Sequence, residues 1–104
     1  MTCTYIFWTT GSLEEAKEIS KALLEKKLIA CANIIPKIHS LYTWKGKVQE
    51  EDEVKVIFKT KSSLFESIEK EILERCSYET PEISSVPLDQ VHKPYIEWLN
   101  QTVL

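Results

Sequence analysis

The segment from Ala30 to Thr60, ACANIIPKIHSLYTWKGKVQEEDEVKVIFKT, constrains the fold more than any other part of this chain. It reads as one β-hairpin whose arms run well past the ~5–6 residues of an ordinary strand. Leu28 to Ile35 begins the first arm, and Pro36, which cannot donate to a strand ladder, marks a bulge or an edge. Ile38, Ser40, Tyr42 and Trp44 then alternate with His39, Leu41, Thr43 and Lys45 up to a turn at Lys45, Gly46 and Lys47, where Gly46 supplies a positive φ. On the return from Val48 to Thr60, Val54, Val56 and Phe58 point to a core, and Glu53, Lys55, Ile57 and Lys59 point away. A two-stranded ribbon is not stable by itself. The rest of the chain, or another copy of it, has to cover these arms.

The flanking segments supply the cover. Cys3 to Thr9 is apolar on both alternating faces, with Cys3, Tyr5 and Phe7 on one and Ile6 and Trp8 on the other, which suits a central strand. Gly11 breaks it. Ser12 with Glu15, and again Ser63 with Glu66, predict capping boxes that open helices to about Lys26 and Arg75. The first helix is expected to bury Ala16, Ile19, Ser20, Leu23 and Leu24, and the second Leu64, Phe65, Ile68, Ile72 and Leu73. Glu82 to Val86 reads as a short fourth strand. Pro94 suits the first turn of a last helix that buries Tyr95, Trp98, Leu99 and Val103. The order βαββαβ with a trailing helix predicts an α+β, ferredoxin-like sandwich: an antiparallel sheet in the spatial order 4132 with both main helices on one face. The other face of the first strand, carrying Trp8, is then expected to lie uncovered, and together with the unpaired hairpin edges it predicts association.

All 104 residues read as a single domain, 1–104, with 43% hydrophobic residues to build a small core. Thirteen Lys and Arg against sixteen Asp and Glu argue against a general nucleic-acid surface. No apolar run approaches the ~20 residues that span a bilayer, and Met1 to Thr10 lacks the pattern of a secretory signal. A cytoplasmic protein with no membrane contact is expected. Cys3, Cys31 and Cys76 have neither short spacing nor an even count, which points to reduced thiols rather than a disulfide framework or a CxxC metal knuckle.

Several separate motifs resemble the CutA family, the divalent-cation-tolerance proteins. They are LIACANIIP at Leu28 to Pro36, SLYTWKGK at Ser40 to Lys47, EVKVIFKT at Glu53 to Thr60, YETPEI at Tyr78 to Ile83 and PYIEWL at Pro94 to Leu99. The resemblance spans nearly the whole chain. It implies a homotrimer joined sheet edge to sheet edge, similar in architecture to the PII signalling proteins, with the long hairpin reaching a neighbour and binding clefts between subunits. It also implies a part in tolerance of divalent metals, copper above all, while vertebrate members of the family are associated with anchoring a membrane enzyme. The sequence departs from the family where HPYETPE is usual: here Cys76 and Ser77 precede Tyr78. A missing imidazole disfavours a Cu(II) site, whereas cysteine is a softer ligand suited to Cu(I) or Zn.

Cys31 and Cys76 are therefore the candidate metal ligands. Against that, Cys31 between two alanines has the look of a small buried hydrophobe, and a helix C-terminus such as that at Cys76 is a poor place to stabilise a thiolate. Cys3 is expected in the core. His39 and His92 read as solvated or hydrogen-bonded side chains. The run from Glu50 to Glu53 cannot converge on one cation, because alternate strand residues face opposite ways. Glu53 and Lys59 share a strand face and are expected in an intersubunit cleft with Trp44, Tyr78 and Glu82, structural salt bridging being the plainer alternative. Tyr42 and Trp44 are expected to be buried by a neighbouring subunit, with ligand stacking as their second reading.

The expected function is tolerance of divalent metal ions by a homotrimer that binds copper, another soft metal or a small ligand in its clefts, with no cofactor required for folding. The alternative is a non-catalytic trimeric scaffold or PII-like regulatory module that binds protein partners. An enzyme is not expected, because no histidine is placed as a base for a cysteine nucleophile, and two glycines are too few for an anion-binding loop.

Overall fold

The computed structural model describes residues 2–104. Its elements are β1 (Cys3–Thr10), α1 (Leu13–Glu25), β2 (Cys31–Trp44), β3 (Lys47–Lys61), α2 (Phe65–Arg75), β4 (Ile83–Pro87) and α3 (Lys93–Thr102), with a 3-10 turn, Ser62–Leu64, ahead of α2. The strands form one antiparallel sheet in the order β2-β3-β1-β4, the ferredoxin-like arrangement expected.

The β1 register places Ile6 opposite Phe58, Trp8 opposite Val56 and Thr10 opposite Val54, so the apolar side of β3 and these β1 residues share one face. That face packs against Ala16, Ile19 and Leu23 of α1 and Ile68 and Ile72 of α2. Trp8 is fully buried there, its ring stacked on Phe58 at 5.9 Å between centroids. The expectation that Trp8 faces away from the helices is thus corrected. Both sides of β1 are apolar, so the strand cannot choose its own orientation; β3, with lysines on its other side, chooses for it. The open face instead carries Tyr5 and Phe7, each under an ammonium, Lys59 at 5.6 Å and Lys55 at 5.3 Å. At one end of this second face, Leu99 of α3 and Val103, just past its end, close over Cys3 and Ala30.

Helix stripes prove narrower than the sequence suggests. Leu24, Leu73 and Trp98 are exposed by 41%, 54% and 43%, correcting their expected burial. Each lies next to a buried residue at the edge of its stripe, ~100° round the helix from it. Ser12 caps α1, its Oγ accepting from the Glu15 N–H at 3.1 Å, but the Glu15 carboxylate turns elsewhere and the box stays half-made. The second box does not form: Ser63 lies in the 3-10 turn, and Leu64 precedes α2 without a side-chain cap. α1 ends on Lys27 at φ 58°, with the Lys27 N–H on the Leu24 carbonyl and the Leu28 N–H on that of Leu23, both at 3.0 Å. This left-handed cap uses Leu28 as its apolar lock. For that reason β2 starts at Cys31 rather than at Leu28.

From Cys31 opposite Lys59 to Trp44 opposite Lys47, the β2–β3 ladder has a single irregularity, between Ile35 and Ile38. There Pro36 and Lys37 stand against Val54 alone, the bulge that Pro36 predicts. The bulge changes the facing of the even-numbered residues: Ala32 and Ile34 pack toward the core, whereas Tyr42 and Trp44 lie with Glu51 and Glu53 on the open side. Lys45 at φ 50° and Gly46 at φ 79° close the ribbon in a two-residue type I′ turn.

Candidate functional site

Where the outer hairpin arm meets the loop after α2, the open face folds into a groove of about 690 Å³. Tyr42 and Trp44 of β2 and Glu51, Glu53 and Lys55 of β3 line it from the ribbon. Tyr78 and Glu82 line it from the loop. This single feature brings together Trp44, Glu53, Tyr78 and Glu82, the residues expected in a cleft. Lys59 is not among them. It lies six positions from Glu53 on the same strand, roughly 20 Å at ~3.3 Å per residue, with its ammonium over Tyr5. Lys55 stands in the groove where Lys59 was expected.

Two carboxylates organise the loop. Tyr78 donates its phenol O–H to Glu53 Oε2 at 2.8 Å, and burial, with Glu53 beside it, pushes its pKa well up, so the phenol stays a donor. Its ring passes over Gly11, where a Cβ would stand 3.2 Å from both Cε1 and the hydroxyl. Gly11 is therefore room for Tyr78 as well as a strand break. Glu15, freed from its capping box, accepts from the Ser77 N–H at 3.0 Å and the Ser77 hydroxyl at 3.2 Å, and also holds the Thr10 hydroxyl. The departure from the family motif at Cys76 and Ser77 is tied down by this residue. Sequence reasoning saw Glu15 only as a helix cap, which hid its reach across to the loop.

At the other wall Glu82 accepts from Lys55 Nζ at 3.1 Å, Thr9 Oγ1 at 2.9 Å and Ser84 Oγ at 3.0 Å. Burial alone would raise its pKa, yet these three donors outweigh burial and lower it. Tyr42 donates to Glu51, and that bond pushes its pKa up to about 12. Glu53 itself is only 8% exposed.

The cysteines are not brought together. Cys76 packs against the core beneath the helices, with its thiol directed at Glu15 Oε2, 3.7 Å away, and burial pushes its pKa up. Cys31 is half-buried and shares the open face of the sheet with its ladder partner Lys59, away from Cys76. Cys3 is buried as expected. Among the described residues no three His, Cys, Asp or Glu side chains converge as a metal-binding group. A thiolate site built on either Cys31 or Cys76 would need ligands beyond those the described residues bring together. His39 sits on the other side of the outer arm, Nδ1 at 3.0 Å from Asp52 and Nε2 at 2.6 Å from Glu50, while His92 caps α3 through its backbone carbonyl.

Residues 4–102 match the family of the CutA1 divalent ion tolerance protein. The chain is 42% identical over 99 residues to the divalent-cation tolerance protein CutA of Archaeoglobus fulgidus, covering 95% of this chain and 96% of that one. It is 41% identical over 95 residues to mouse protein CutA, covering 91% of this chain but spanning only 54% of the mouse protein. The solved structure of the periplasmic divalent cation tolerance protein CutA from A. fulgidus superposes with a TM-score of 0.95, at 40% identity over 98% of this chain and 99% of that one. Sequence match and overall shape agree, and the chain belongs to the CutA1 divalent ion tolerance protein family.

Proposed function

We propose that the chain serves response to and tolerance of divalent metal ions as a homotrimer, taking copper, another soft metal or a small ligand into clefts between subunits. The observation that carries this reading is the groove's position, on a hairpin arm that its own subunit leaves uncovered, in a chain of this family. Leu41 and Val48 of that arm are 65% and 77% exposed, apolar surface that a second copy would remove from water. A neighbour's Lys59 or Cys31 would then approach a groove that one subunit builds without them. No catalytic step is part of this reading.

Solution mass at micromolar protein tests the assembly, and a monomer would sink the intersubunit cleft. Anaerobic titration with copper and with zinc tests the metal: Cys31→Ser and Cys76→Ser are each expected to reduce uptake. Unchanged uptake in both would remove thiolate binding by these residues. The second reading, a trimeric scaffold or PII-like module for protein partners, draws support from Leu24 and Leu73, exposed on the helical layer away from the groove. Loss of a specific partner in Leu73→Lys, with trimer mass and metal uptake intact, would favour it.

A further inference from the structure

The charges in the groove do not balance within the subunit. Its one lysine, Lys55, is engaged by Glu82 at 3.1 Å. Glu51 and Glu53 stand two residues apart on one strand face, so their negative charges repel across ~7 Å. Each is met by a neutral phenol, Tyr42 on Glu51 and Tyr78 on Glu53, and among the described residues neither forms an ion pair. Glu53 is more than nine-tenths buried and lines the groove. A charge withdrawn from water to this degree calls for a counter-charge, and the one cation on its face of the groove, Lys55 two residues along, is engaged by Glu82.

The same ribbon wall continues in a form suited to that partner. Tyr42, bonded to Glu51, presents ring surface beside that carboxylate, and Trp44, next outward on the same face and opposite Lys47, already carries the Lys45 ammonium 5.8 Å from its centroid at the hairpin tip. Aromatic faces attract cations, and carboxylates hold ammonium or guanidinium groups through charge-assisted hydrogen bonds. A volume near 690 Å³ fits a small molecule rather than a bare ion.

We propose that this groove binds a small organic cation, an alkylammonium or guanidinium compound, with its charged group on Glu53 and Glu51 and its aliphatic part against Trp44 and Tyr42. The proposal rests on the cleft reading above and names the ligand class for it. Calorimetric titration of the assembled protein with agmatine, in buffer containing EDTA and with the neutral 1,4-butanediol as control, tests it.

Saturable uptake of agmatine but not of butanediol is expected. Glu53→Gln still accepts the Tyr78 hydrogen bond yet loses the charge, and should weaken affinity at least ~10-fold; Trp44→Leu should weaken it severalfold, and Glu66→Gln, outside the groove, should not. Absence of saturable uptake, equal uptake of butanediol, or full affinity in Glu53→Gln overturns the proposal. A trimer that takes up copper or zinc but ignores agmatine defeats the organic cation alone. A monomer that binds agmatine through Glu53 supports the cation site and defeats the intersubunit reading. If agmatine is ignored and Glu53→Gln loosens the trimer, the carboxylates are a subunit contact and the proposal falls.

Discussion

The inner and outer halves of the long hairpin share one hydrogen-bonded ladder and differ in what covers it. Inside the bulge, Val54, Val56 and Phe58 lie at 4%, 0% and 0% exposure beneath two helices, with β1 as a third strand. Outside it, the ribbon has no third strand, and its apolar side chains, Leu41 and Val48 foremost, face water. Backbone pairing is alike in both halves, so pairing alone does not decide which half is finished. Side-chain cover does, and the border falls at Pro36 and Lys37. The chain's stability should therefore reside in the inner half, and its dealings with other molecules in the outer half.

The largest effect that can break this division belongs to Phe58→Ala. Removing a fully buried ring stacked on Trp8 should cost ~3–5 kcal/mol in denaturant unfolding. A loss below ~1 kcal/mol would mean that the inner half is not the core. Next comes Leu41→Lys, expected to leave the helical circular dichroism signal intact while shifting the solution mass to smaller species. An unchanged mass would show that the outer arm makes no contact between copies.

Gly11→Ala tests the joint between the halves. Its methyl group must displace Tyr78, so a loss of ~1–2 kcal/mol is expected together with weaker Tyr78 to Glu53 bonding, seen as a Tyr78 ring shift by NMR. A smaller change, under ~1 kcal/mol, is expected from Lys45→Asn, because asparagine tolerates the left-handed turn that lysine enters at a cost. It should slow amide exchange at the tip only. Equal slowing in the inner half would erase the distinction.

The smallest effect is electrostatic and confined to the outer arm. Donating its ring N–H groups to Asp52 and then Glu50 raises the His39 pKa above 6.5, while His39 and Lys37 lower that of Asp52. A raised histidine contributes fully below its unfolded value and loses that contribution as pH rises through its folded one. A lowered aspartate contributes above its unfolded value and loses it as pH falls. The pair thus supports the arm best between about pH 4 and 6.5. Amide exchange at Ser40 and Glu51, corrected for intrinsic rates, should quicken from pH 6 to pH 8 and not at Val56; Gln at position 39 should flatten the change.

The topology was legible because its signals are local: Gly46 for the turn, Pro36 for the bulge, Pro94 for the last helix, and β3 alternation for the core face. What misled was two-sidedness. Trp8 sits on a strand apolar on both faces, and Leu24, Leu73 and Trp98 border stripes whose width is set by neighbours the sequence does not display. Four of the five cleft candidates meet in one groove because hairpin alternation and the loop motif carry them there, whereas Lys59 shares their face but not their end of the strand. Glu15 was invisible as a loop anchor, since a capping glutamate and a long-range acceptor look alike in sequence. Cys31 and Cys76, expected as metal ligands, have no converging set of His, Cys, Asp or Glu side chains around them among the described residues.

The bulge also sets where the hairpin can change length. Losing one residue at Pro36 or Lys37 would straighten β2 into a regular ladder in which Ile38 still meets Glu53, so Tyr42 and Trp44 would keep their side of the ribbon. A one-residue gain or loss between Ile38 and Trp44 would send the aromatic residues beyond it to the opposite side, or spoil the two-residue turn. Relatives should therefore tolerate length variation at that one step and resist it along the arm, and any graft of this hairpin onto another sheet can be trimmed there without moving the groove.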